Sequence, residues 1–128
     1  MSPEEIISRL AGVPGLAGVR LLVLHGSRAR GDEHPGSDWD FGALFDDDAD
    51  PLELVAVLTT AVGSDSVDLT DLSRSSALLR YRAARDGVAL WERSAEEFLN
   101  FRLAAVAFWC DAGPVIQAAQ RDVLAGLG

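Results

Sequence analysis

Apolar and polar residues recur along this chain in two periods, and the points where the period changes mark its elements. Residues 3–11, PEEIISRLA, put Ile6, Ile7 and Leu10 at helical spacing, with Ser2 placed to cap the first turn and Pro3 at the first helical position. GVPGLAG punctuates the end of that helix. The run VRLLVLH, residues 19–25, is β-rich and apolar on both faces, as a strand buried within a sheet should be, and it stops at Gly26. Residues 38–45, DWDFGALF, predict a second strand, followed by the acidic turn DDDADP and a helix over 51–61 capped by Asp50. In SVDLTDL, residues 66–72, Val67 and Leu69 alternate with Asp68 and Thr70, the two-residue period of a third strand. SRSSALLRYRAARDG predicts a capped helix that ends on Gly87, and VALWE a short strand. From Ser94 onward the pattern is helical, with SAEE as a capping box and an interruption near Gly113 and Pro114. The order is mixed α/β with a helical tail.

The 128 residues suffice for one domain that folds without disulfides, and no repeat or linker divides them. The expectation is therefore a single domain over 1–128, with its core at about 17–92 and its helical tail at 94–128. Cys110 is the only cysteine, and the acidic start MSPEEIISRL is unlike a secretory signal, so a reducing cytoplasm is the expected compartment. Stretches such as VRLLVL and LAAVAFW are far shorter than a membrane span, and the chain is expected to be soluble. The net charge is −9 and every one of the eleven basic residues is arginine. That balance argues against direct nucleic-acid binding, which draws its affinity from cations on phosphates, and favours a basic protein or a metal-masked anion as partner.

Two aspartates two apart on a strand face the same way, so Asp38 and Asp40 converge while Trp39 points to the opposite side. Such a pair is unfavourable without a cation between its members, and a hard divalent ion such as Mg²⁺ is the natural occupant. Asp68, on the polar face of the next strand, supplies a third carboxylate. Three such acids can hold two metals for an in-line phosphoryl displacement. Asp71 competes for that third position, but its parity puts it with Val67 and Leu69. Gly26 lets backbone approach a ligand, Ser27 adds a hydroxyl, and amides at a strand-to-helix turn suit phosphate. The absence of lysine excludes a Walker-type ATPase. Arg28 and Arg30 have two readings, phosphate neutralisation or surface pairing with Asp32, Glu33 and the nearby aspartates. His25 ends a buried strand and His34 sits in a loop without a second soft ligand, so neither is read as a metal site. Asp46 to Pro51 read as a solvated turn, and Trp91, Phe98, Phe101, Phe108 and Trp109 as core or partner-interface residues.

GSRARG (Gly26 to Gly31), SDWD (Ser37 to Asp40) and VDL (Val67 to Leu69), in that order and spacing, resemble the polymerase beta-type nucleotidyltransferase superfamily. More narrowly, they resemble the minimal nucleotidyltransferases that act as antitoxins beside HEPN-domain ribonuclease toxins. The resemblance covers about residues 17–92. It implies a small mixed β-sheet with helices packed on it and a C-terminal helical segment. It implies that Asp38 and Asp40 bind two Mg²⁺ ions, that Asp68 binds the one activating the incoming hydroxyl, and that Gly26, Ser27, Arg28, Arg30 and Ser37 serve the nucleotide. The implied reaction moves AMP from ATP to a tyrosine hydroxyl of the HEPN toxin within a hetero-oligomer and silences it. Two departures from the family pattern stand out: Trp39 at a position usually aliphatic, and Gly42 interrupting the strand. Two other functions share the fold, a binding antitoxin that acts by occlusion and a small-molecule transferase of the aminoglycoside type. The short chain leaves little from which the latter could build an acceptor pocket.

Overall fold

The computed structural model describes residues 1–111. Helix α1 (Pro3–Leu10) leads through a 3-10 turn (Pro14–Leu16) into β1 (Val19–His25), the short helix α2 (Ser27–Arg30), β2 (Trp39–Phe45) and α3 (Pro51–Val62). Then follow β3 (Val67–Asp71), α4 (Ala77–Asp86) and β4 (Val88–Glu92). A further helix, α5, runs from 97 to the end of the described residues at 111. The four strands form one sheet in the order β3-β2-β1-β4. β1 is antiparallel to both β2 and β4, and β2 is parallel to β3, with α3 as the crossover. This is the mixed sheet that the resemblance implied. No helix among the described residues is long and apolar enough to cross a membrane.

Alternation along the strands divides the interior in two. Leu22 and Leu24 of β1 and Trp39, Phe41 and Ala43 of β2 face α1 and α3, where Ile6, Leu10, Leu54 and Leu58 complete the larger core. Trp39 and Phe41 stack with ring centroids 6.4 Å apart. Leu21 and Val23 point to the other face and meet Leu72, Ala83 and Ala84 around α4 and Phe101 and Ala105 on α5. Each large side chain fully withdrawn from water contributes about 1.5–3 kcal/mol, so the first face, which holds most of them, carries most of the fold's stability.

The local signals act as the sequence indicates at three helix starts. The Ser2 hydroxyl accepts from the Glu5 N–H, Asp50 from the Leu52 and Glu53 N–H groups, and Ser76 from the Leu79 N–H. Elsewhere the structure corrects the expectation. Ile6 and Leu10 are buried, whereas Ile7 turns to solvent. α3 continues to Val62 and closes on Gly63 in the left-handed region, φ 67°. β2 begins at Trp39, with Asp38 just outside its ladder. Gly42 does not interrupt β2: it is a buried ladder residue opposite Val23 and Thr70, and a Cβ there would come within 2.8 Å of the Leu72 side chain. Gly87 is not a left-handed cap, since its φ is −68°. It is small because a Cβ would collide with the Ala83 carbonyl and with Val23. The capping box at Ser94 is replaced by Glu92, whose carboxylate accepts the Phe98 N–H at 2.8 Å. The expected break near Gly113 and Pro114 lies outside the described residues.

Candidate active site

β1 delivers the chain to Gly26, whose φ of 72° and ψ of −160° belong to a region that side chains avoid. A Cβ on Gly26 would overlap the Asp40 carboxylate. The glycine is thus required twice, by its backbone and by the acid lying against it. Ser27 opens α2 and its carbonyl accepts from the N–H groups of Gly31 and Asp32, closing the helix after one turn. In the loop that follows, Ser37 is committed to the turn: its hydroxyl accepts from the His34 N–H at 2.9 Å, and its carbonyl receives Arg28 Nε and Nη2 at 3.1 and 2.9 Å. The Arg28 guanidinium also lies 4.1 Å from the Trp39 ring centroid. Arg28 therefore pins the loop that leads to Asp38, and it does so across Trp39, the residue that departs from the family pattern.

The parallel register pairs Asp40 directly with Asp68, and the antiparallel register pairs Asp40 with His25. Side chains opposite one another on neighbouring strands share a face, so Asp68, Asp40 and His25 form a polar row across three strands. This row forms one side of a cavity of about 260 Å³, which Gly26, Arg30, Thr70 and Arg82 help to line. Burial raises the Asp40 carboxyl above its ordinary range, and the charges of Asp68 and Asp38 push it further, with His25 and Arg30 opposing. The His25 imidazole is shifted the other way by burial, with Asp40 partly restoring it. Its Nε2 is buried without a hydrogen-bond partner.

Of the residues singled out by sequence, Gly26, Arg30, Asp40 and Asp68 meet at the cavity. Asp38 is exposed, and it joins them through its charge on Asp40 rather than by lining the wall. Arg30 borders the cavity while its Nε donates to Asp32 at 3.2 Å, so the surface pairing is formed by a residue at the cavity's edge. Asp71 is occupied elsewhere: it accepts from the Ser73 N–H and hydroxyl and pairs with Arg74 at 3.7 Å. His25, Thr70 and Arg82 were not identified as site residues from sequence. Thr70 shares the parity of Asp68 and was legible, whereas Arg82 is brought in only by the packing of α4.

A divalent cation is tested by the donors themselves. Asp38, Asp40 and Asp68 offer only carboxylate oxygens, the chemistry that hard ions require. None of the three is held by an ion pair among the described residues, and Asp40 is destabilised as an anion. Among the described residues no three such side chains are drawn together tightly enough to enclose an ion; the acids stand as an electrostatically coupled set on two strands and the adjoining loop. It is the oxygen chemistry of these donors, rather than a preformed cage, that suits a hard divalent ion.

Carboxylates on paired strands beside a positive-φ glycine turn are an arrangement compatible with phosphoryl or nucleotidyl transfer. The chain belongs to the polymerase beta nucleotidyltransferase family, whose profile matches residues 4–96. Within it, the chain is similar to the protein adenylyltransferase MntA of Aphanizomenon flos-aquae (strain 2012/KM1/D3), with 33% identity over 96 residues. That match covers 66% of this chain and 64% of the relative's length. The fold is similar to a crystal structure of a toxin–antitoxin with AMP-PNP, at TM-score 0.74 and 28% identity over 97% of this chain and 99% of the other. It is also similar to a structure of the tri-AMPylated Shewanella oneidensis HEPN toxin in complex with MNT antitoxin, at TM-score 0.69 and 25% identity over 95% of each chain.

Proposed function

We propose that this protein is an antitoxin that transfers AMP from ATP to a tyrosine hydroxyl of a HEPN ribonuclease toxin and thereby silences it. The observation that carries the reading is the in-register pairing of Asp40 with Asp68 beside Gly26. Similarity to the MntA adenylyltransferase and to complexes containing AMP-PNP or an AMPylated toxin supports the donor and the partner. We read residues 1–128 as one domain, with a catalytic core at about 17–92, working in the cytoplasm.

In this reading Asp38, Asp40 and Asp68 hold two Mg²⁺ ions, which when bound neutralise phosphate charge and favour the ionised acceptor oxygen. The tyrosine oxygen forms a bond to the α-phosphorus, the bond from that phosphorus to the α,β-bridging oxygen breaks, and pyrophosphate leaves. Asp68, farther from the glycine turn than Asp40, sits on the acceptor side and receives the hydroxyl proton or passes it to solvent. The Gly26 and Ser27 amides orient the triphosphate. Arg30 and Arg82, on opposite helices, bring positive charge to the cavity's edge. Arg28 and Ser37 hold the loop before Asp38 in place. Leu99, Leu103 and Val106, exposed at helical spacing on α5, offer an apolar stripe for the toxin.

That stripe also supports a second reading, in which the chain neutralises its partner by occlusion alone. Co-expression of the toxin with the Asp38→Asn/Asp40→Asn variant separates the two. Loss of neutralisation with the complex still formed is expected for transfer, and full neutralisation by the variant would favour occlusion.

A further inference from the structure

The sheet face that carries Asp40 holds a second cavity at its other end, where β2 finishes and β3 turns toward α4. Leu44 in its wall lies four residues from Asp40, or ~13 Å along a strand, and the two cavities have no lining residue in common. We propose that this second cavity binds a carboxylate carried on an apolar stem.

The cavity has a volume of about 420 Å³, and Leu44, Leu72 and Phe101 give it an apolar side. Its charged side is made by Arg20, Arg80 and Glu97. Arg80 is held in place: Nη2 donates to the Ser73 carbonyl and the guanidinium lies 4.8 Å from the Phe108 ring centroid. Its Nε is nevertheless buried with no partner. A buried donor left unmatched costs about 1–3 kcal/mol, so this guanidinium carries unmet hydrogen-bonding demand beside the cavity it lines. Arg20 takes part in no ion pair among the described residues. In a chain of net charge −9, two guanidinium groups thus share a cavity with a single acid. Their balance is one net positive charge, which matches a monoanion and is too little for a phosphate dianion. A guanidinium fork suits a carboxylate, and the apolar side accommodates a short hydrocarbon stem.

Such a group comes either from a free small organic acid or from an acidic side chain or C-terminus of a protein partner. Calorimetric titration of the full chain with hexanoate, and separately with inorganic phosphate, tests the chemistry. Saturable hexanoate binding at least tenfold tighter than phosphate is expected, and Arg80→Gln should weaken it at least tenfold. Glu97→Gln removes the opposing charge without touching the arginines, and should tighten phosphate binding severalfold. The affinity of the protein partner for the Arg80→Gln chain identifies the source: a tenfold loss assigns the carboxylate to the partner, and an unchanged complex with hexanoate binding lost assigns it to a free acid. Two results would overturn the proposal. One is the absence of hexanoate binding together with an Arg80-independent complex; the other is phosphate affinity equal to that of hexanoate and unmoved by Glu97→Gln.

Discussion

The two faces of the sheet are built from the same strands to opposite specifications. Toward α1 and α3, β2 presents Trp39, Phe41 and Ala43, and the face is closed and apolar. Toward α4 and α5 the same strand presents Asp40, Gly42 and Leu44, and the row formed with His25 and Asp68 is polar and incompletely satisfied. Stability and chemistry are thus kept on separate faces of one sheet. The closed face supplies the burial that offsets chain entropy, which allows the open face to hold two facing carboxylates and an imidazole nitrogen without a partner, at a cost.

Substitutions on the two faces should therefore fail in different ways. The largest effect is expected for Asp40→Asn: a loss of transfer rate on the order of 10²–10³ or more, as when a group that stabilises transition-state charge is removed, with the fold intact by circular dichroism. Its neighbour on the other face should do the reverse. Phe41→Ala, at a fully buried position, should cost about 3–5 kcal/mol in denaturant unfolding, with kcat per folded molecule little changed.

Gly26→Ala crosses the boundary between the faces. A left-handed alanine whose Cβ meets the Asp40 carboxylate should lose about 1–3 kcal/mol of stability and disturb catalysis as well. Gly87→Ala clashes with Ala83 and Val23, away from the acids; it should lose a similar amount while sparing the catalytic step. Parallel measurements of unfolding and turnover for the two variants would sharpen the division, and equal activity losses would break it.

The smallest effect is electrostatic and has a definite sign. Because the Asp40 carboxyl is raised in the folded chain, the native state binds more protons than the unfolded state above the ordinary value of 3.8. Stability is then lost as pH rises through the raised value, and the loss persists at neutral pH. Without divalent ions, Asp40→Asn should be slightly more stable than the parent at pH 7, with the difference vanishing below pH 3.8; thermal unfolding against pH measures it. His25 acts in the opposite direction, since its lowered value makes the folded chain lose stability as pH falls below 6.5.

Most of this arrangement was legible in sequence because it is local. The two-residue alternation in DWDFGALF and SVDLTDL separated core residues from carboxylates, and Ser2, Asp50 and Ser76 marked helix starts through their own hydrogen bonds. What stayed hidden depends on packing between distant segments. Gly42 reads as a break until Leu72 is known to lie across it, and Gly87 as a cap until Val23 is. Glu92 displaced Ser94 as the cap of α5 because β4 delivers its carboxylate to the Phe98 N–H. Arg82 joins the lining of the cavity only through the docking of α4.

On the proposed reading, the polar row on the open face transfers a nucleotide to a protein hydroxyl. The direct measurement is the intact mass of the HEPN partner after incubation with the protein, Mg²⁺ and ATP. The expected result is a gain of one or more adenylate units, localised to tyrosine and absent with Asp38→Asn/Asp40→Asn. An unchanged partner mass with each of the four nucleoside triphosphates, while the two proteins form a stable complex, would contradict it.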